Sequence, residues 1–172
     1  DTAYLSTVNS ILLTDTATWE FYFNMTFAPS TSNTTRIYLV SDQENLRGSL
    51  NGYYLKIGES GSSDRLNFYK QSGNTLTLLF TGTANTFGVS PAEGRVKVVR
   101  DPAGNWTFYS DSTTGTNYAL EGTINDVSFT TTSYTGVWCK YTASNNTKFY
   151  FDDFNVSGFV FVDTELPTVT GV

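Results

Sequence analysis

WEFYFNMTF, residues 19–27, alternates without a break. Trp19, Phe21, Phe23, Met25 and Phe27 hold the odd positions, and Glu20, Tyr22, Asn24 and Thr26 the even ones. Side chains project to opposite faces of a strand with a period of two, so this stretch predicts a β-strand with one apolar face. The same alternation recurs at Tyr53, Leu55, Ile57, at Leu66, Phe68, at Val96, Val98, at Trp106, Phe108, at Val137, Cys139, Tyr141 and at Phe149, Phe151. Polar and glycine-containing clusters separate these runs, as at Ser60 to Asp64, Ser72 to Asn74, Ser112 to Asn117 and Ala143 to Thr147. The pattern predicts nine to twelve short strands. VKVVRDPAGNWTFYSD, residues 96–111, reads as a hairpin with Asp101 to Asn105 as its turn. The best helical candidate is short, Asp42 to Leu50. Antiparallel strands patterned on two sides need a second sheet to cover them, so the expected fold class is all-β, a two-sheet antiparallel β-sandwich or jelly roll.

Composition agrees and narrows the chemistry. The chain has 172 residues, with 27 aromatics and 28 threonines, a mixture that favours pleated sheet. It has no histidine and one cysteine, which removes Ser-His-Asp and Cys-His nucleophiles, histidine general bases and an internal disulfide. Ten basic against sixteen acidic side chains give a formal net charge of −6, which disfavours nucleic acid and anionic membranes as partners. Cys139 alternates with Val137 and Tyr141, so a buried, inert thiol is expected. No sequence period of 20 to 50 residues argues for a propeller or solenoid.

NGYYLKIGE (Asn51 to Glu59), the 96–111 hairpin, and GVWCKYT followed by KFYFDDFNVSG (Lys148 to Gly158) together resemble the concanavalin A-like, laminin G-like jelly roll. The likeness is to the version in large bacterial secreted modular proteins, with lamin-tail and immunoglobulin-like modules and export by type IX secretion. It spans about residues 2–158. The resemblance implies a non-catalytic module, secreted or on the bacterial cell surface. Its implied partners are a polysaccharide or cell-surface glycan and the neighbouring domains of the same chain. A structural spacer or adhesin domain is the alternative. In that version a further strand precedes the TAYLST stretch (Thr2 to Thr7). The domain is therefore expected over 1–158, with 159–172 a terminal strand and a linker toward an immunoglobulin-like domain. Relatives of the fold that cleave β-glucans carry Glu-x-Asp-x-(x)-Glu on one strand, because retaining hydrolysis needs two close carboxyl groups. That motif does not occur here, and no enzyme activity is expected.

Two groups of residues are candidate sites. SDQENLRGSLNGYY, residues 41–54, is a polar connection leading into a strand, and polar loops on a rigid sheet commonly carry binding. Within it Tyr54 is the expected stacking platform, with Asp42, Gln43 and Asn51 as hydroxyl partners; a solvated connection with Asp42 capping a short helix is the other reading. Tyr22, Tyr69, Tyr109 and Tyr134 are further rings opposite the apolar faces. Trp19 and Trp106 are expected in the core. In FYFDDFNV, unbroken alternation would place Phe149, Phe151, Asp153 and Asn155 on one face and Tyr150, Asp152, Phe154 and Val156 on the other. Asp152 and Asp153 could supply oxygen ligands to Ca²⁺, or one could accept backbone N–H bonds from a neighbouring loop. Five Asn-x-Ser/Thr and three Asp-Ser/Thr triplets are the number a threonine-rich chain produces by chance.

Overall fold

The computed structural model describes residues 1–160. It is a sandwich of two antiparallel sheets. The larger is ordered β1 (Thr2–Val8), β11 (Tyr134–Lys140), β4 (Thr34–Ser41), β5 (Leu50–Ile57), β6 (Asn67–Gly73), β7 (Thr75–Thr81). The smaller is ordered β10 (Ala119–Asn125), β9 (Asn105–Asp111), β8 (Ala92–Arg100), β3 (Ala17–Met25), β12 (Phe149–Ser157). A two-strand patch pairs β13 (Phe159–Val160) with β2 (Ile11–Leu12). The linker expected beyond it lies outside the described residues. The described residues include a single 3₁₀ turn, Ala143–Asn145, and no helix long and apolar enough to cross a membrane.

The alternation of β3 appears as burial: every odd residue from Ala17 to Met25 is buried and every even one half-exposed. Facing β3 across the sandwich are Ile37, Tyr53, Leu55, Ile57 and Phe68, with Trp19 stacked on Trp106 at 5.5 Å between ring centroids. Both tryptophans are fully buried, as expected. Each buried ring of this kind stabilises the fold by about 1.5–3 kcal/mol relative to exposure. The hairpin forms as read, its turn closed by Gly104 N–H donating to Asp101 O at 3.0 Å. Gly104 has φ of 83°, which a side chain would strain.

Two local expectations give way. Asp42 to Leu50 is not helical. Its two leucines, Leu46 and Leu50, turn down onto the outer face of the larger sheet and seal Tyr38 and Tyr54 beneath them. A solvated helix would leave that apolar area in water. In β12, a bulge between Asp152 and Asn155, with Asp153 at φ 51°, shifts the pairing with β3. An extra residue flips every later side chain to the other face. Phe149 and Phe151 before the bulge, and Phe154 and Val156 after it, therefore all pack on the core.

Candidate functional site

The expected site around Tyr54 does not form. The ring is 1% exposed, stacked on Tyr69 at 5.2 Å and 5°, with Tyr38 5.0 Å away. A sugar cannot stack on a face already covered by another ring. Asp42 and Asn51 bind each other: Asn51 N–H donates to Asp42 Oδ1 at 2.7 Å and its amide to Oδ2 at 2.9 Å. They close the ends of the loop. Gln43 is exposed beside them, its backbone N–H donating to Ser41 Oγ. The sequence signal for this arrangement was Leu46 inside an otherwise polar loop, with Leu50 where the strand begins.

Asp152 and Asp153 are both exposed. Asp153 pairs with the Arg95 guanidinium, which holds that guanidinium above its ordinary pKa, and Asp152 accepts the Asp153 N–H at 2.8 Å. Among the described residues no three carboxylate or thiol groups converge on a point. The bulge explains the pair: it carries both carboxylates to the solvent side, so neither needs a cation or a loop to compensate burial.

Three surface features remain. The first is an open, mostly apolar groove of about 660 Å³ between β1 and β12, lined by Leu5, Val8, Val137, Phe151, Phe154 and Val156 among others. Thr7 and Asn9 are among its polar lining residues, and the rest of the lining is mostly apolar. A second hollow, of about 410 Å³, lies between the 83–86 and 111–121 segments. Its carboxylates serve the fold: Asp111 accepts from Thr113 and from Asn117 N–H, and Glu121 accepts from Thr83 N–H and Ser110 Oγ. The Thr113 bonds hold the Asp111 carboxyl below its ordinary range.

The third is the outer face of the smaller sheet, where half-exposed rings and hydrogen-bonding groups share adjacent strands. One row runs Tyr150, Asn24, Glu93; the next Asp152, Tyr22, Arg95; the next Asn155, Glu20, Lys97, Tyr109. Glu93 Oε2 accepts the Tyr22 hydroxyl at 2.8 Å and the Asn24 amide at 2.7 Å. Partial burial and the Glu93 carboxylate push the Tyr22 hydroxyl above its ordinary pKa. Lys97 pairs with Glu20 at 3.0 Å and lies 6.0 Å from the Tyr118 ring centre. Tyr150 is 54% exposed at the sheet edge. Tyr22 and Tyr109 were legible as outward rings from the alternation. Tyr118 was not, because it lies outside any periodic run, and Tyr150 was hidden by the register change.

No protein-family model and no curated protein matches the chain. Among solved structures it is similar to carbohydrate-binding module CBM66 from Bacillus subtilis, with a TM-score of 0.60 and 12% identity over 91% of this chain and 82% of that one. It is similar to the Emp47p carbohydrate recognition domain, at 0.61 and 17% over 88% and 74%. A legume lectin-like domain from Entamoeba histolytica gives 0.66 and 8% over 92% and 79%. At these identities the likeness is one of fold, and the fold is the jelly-roll β-sandwich that these lectin-like domains share.

Proposed function

We propose that this domain is a non-catalytic carbohydrate-binding module of a secreted or cell-surface protein, taking a polysaccharide across the outer face of the smaller sheet. The observation that carries this reading is the interleaving of Tyr22, Tyr109, Tyr118 and Tyr150 with Asn24, Glu20 and Glu93 on that face. Rings stack on the C–H face of a pyranose, while amides and carboxylates orient its hydroxyls. The fold shared with carbohydrate-binding and lectin-like domains supports it by analogy.

The test is affinity electrophoresis and calorimetry against a panel of neutral polysaccharides, comparing the wild type with Tyr150→Ala. That ring is more than half exposed, so its loss leaves folding within about 0.5 kcal/mol of the wild type. A binding loss of about 1–3 kcal/mol is expected if the ring is an anchor. Failure of every polysaccharide to bind would favour the spacer or adhesin role.

A further inference from the structure

We propose that the outer face of the larger sheet is a second binding surface, for an anionic polysaccharide bearing carboxylate or sulfate groups. The chain carries an excess of acid, yet Arg36, Lys56 and Lys140 gather on this one face. Tyr4, Trp138, Arg36 and Lys56 stand in register across β1, β11, β4 and β5, and Lys140 follows Trp138 two residues along β11. Four neighbouring strands place this row over roughly 14 Å. It reads ring, ring, cation, cation.

Arg36 is set rigidly. Its guanidinium carbon lies 4.5 Å from the Trp138 ring centre and 5.0 Å from that of Tyr54, and Nη1 donates to the Tyr38 hydroxyl at 3.4 Å. Tyr54, buried under the 42–50 loop, is thus a support for the cation. The same loop brings Arg47 to 5.3 Å from the Tyr4 ring centre, adding a fourth positive charge at the end of the row.

These cations have no counter-ion of their own. None of Arg36, Lys56 and Lys140 forms an ion pair with a carboxylate among the described residues. The acids that act on Lys56 are committed elsewhere: Glu59 faces Arg65 at 3.9 Å and accepts the Asn67 amide at 3.1 Å, while buried Asp64 accepts the Glu59 N–H at 2.9 Å. Burial, with Arg36 and Lys140 as like-charged neighbours, lowers the Lys56 pKa despite Glu59 and Asp64. A half-buried cation beside two others weakens the fold. A polyanion that supplies carboxylates or sulfates along the row relieves that repulsion.

The experiment measures retention of the full chain on immobilised heparin, for sulfate, and on polygalacturonate, for carboxylate, at about 50 mM salt and again at about 0.3 M, where screening shortens the reach of exposed charges. At least one of the two should retain the wild type at low salt and release it at high salt. The Lys56→Gln, Lys140→Gln double variant should bind about fivefold or more weakly, two lost rim charges being enough for that. Its urea midpoint should stay level or rise, since a repelled charge has been removed. Opposite movement of binding and stability is a readout that a merely structural lysine would not give. Lys148→Gln, off this face, controls for overall charge. The proposal is overturned if neither column retains the protein, if Lys148→Gln weakens retention as much as the double variant, or if the double variant binds unchanged. None of these outcomes depends on neutral polysaccharides or on Tyr150, so this surface and the smaller-sheet face stand or fall separately.

Discussion

Truncating Tyr54 should damage the fold. Read from the sequence, the ring is a surface platform, and Tyr54→Ala would then change stability by about 0.5 kcal/mol or less. In the structure it is 1% exposed, sealed by Leu46 and Leu50, and packed against Tyr38, Tyr69 and Arg36. Truncating a buried aromatic side chain to alanine costs about 3–5 kcal/mol, through lost burial and the cavity left behind. The aromatic pairs and the cation–π contact lie within that figure and are not added to it. Against a total stability of about 5–15 kcal/mol this is a large fraction. With a urea slope near 2 kcal/mol per molar, 4 kcal/mol moves the unfolding midpoint down by about 2 M. Tyr54→Phe is the control. The hydroxyl has no hydrogen-bond partner among the described residues, so its removal should shift the midpoint by less than about 0.5 M, the equivalent of one lost neutral hydrogen bond at most. Urea denaturation followed by tryptophan fluorescence measures both. A Tyr54→Ala variant within about 1 kcal/mol of wild type would show that the loop does not seal the ring, and the second apolar cluster would fail with it.

Three further outcomes follow from single groups. Burial opposes the Asp126 charge, but Lys70 at 2.7 Å, the Tyr53 hydroxyl and Ser128 N–H outweigh it and hold the carboxyl at about 2, below the ordinary 3.8. Folding therefore gains about 2 kcal/mol from this group above about pH 4, lost as pH falls through about 2; Asp126→Asn should flatten the acid limb of a stability profile in that window, and an unchanged slope would refute the assignment. Burial pushes the Cys139 thiol up to about 11, Thr35 opposing weakly, so a thiol reagent at neutral pH should label it only as fast as the protein unfolds, and prompt stoichiometric labelling would contradict its burial. Deleting Asp153 removes the extra residue, so β12 can pair without a bulge while Phe154 meets Phe21 and Val156 stays opposite Trp19. The deletion, like Asp153→Gly, which keeps the left-handed conformation, should stay within about 1 kcal/mol of the wild type; a thermal melt showing a loss above about 2 kcal/mol for the deletion would place the register elsewhere.

Different residues were legible to different degrees, for physical reasons. Faces built by one strand are written in local alternation, so Trp19, Phe21 and Phe23 pointed inward and Tyr22 outward before any strand order was known. The bulge was also written, in the change of apolar parity from Phe149 and Phe151 to Phe154 and Val156, because an apolar set can keep one face across such a change only if one residue is added to the strand. Asp-Asp at the break is a residue type that tolerates a left-handed backbone, as Asp153 adopts here. Tyr54 was different. Alternation correctly put it opposite Tyr53 and Leu55, but whether that opposite face meets water depends on what folds over it, and Leu46 decides this from outside the strand, beside Leu50 at the start of β5. The Trp138, Arg36, Lys56 row was the least legible part, since β11, β4 and β5 are neighbours only through the sheet order, which no spacing in the sequence states. Binding surfaces on a sandwich are rows across strands, whereas a sequence is read along them. That is why the fold could be read from alternation along the strands while both candidate faces required the register.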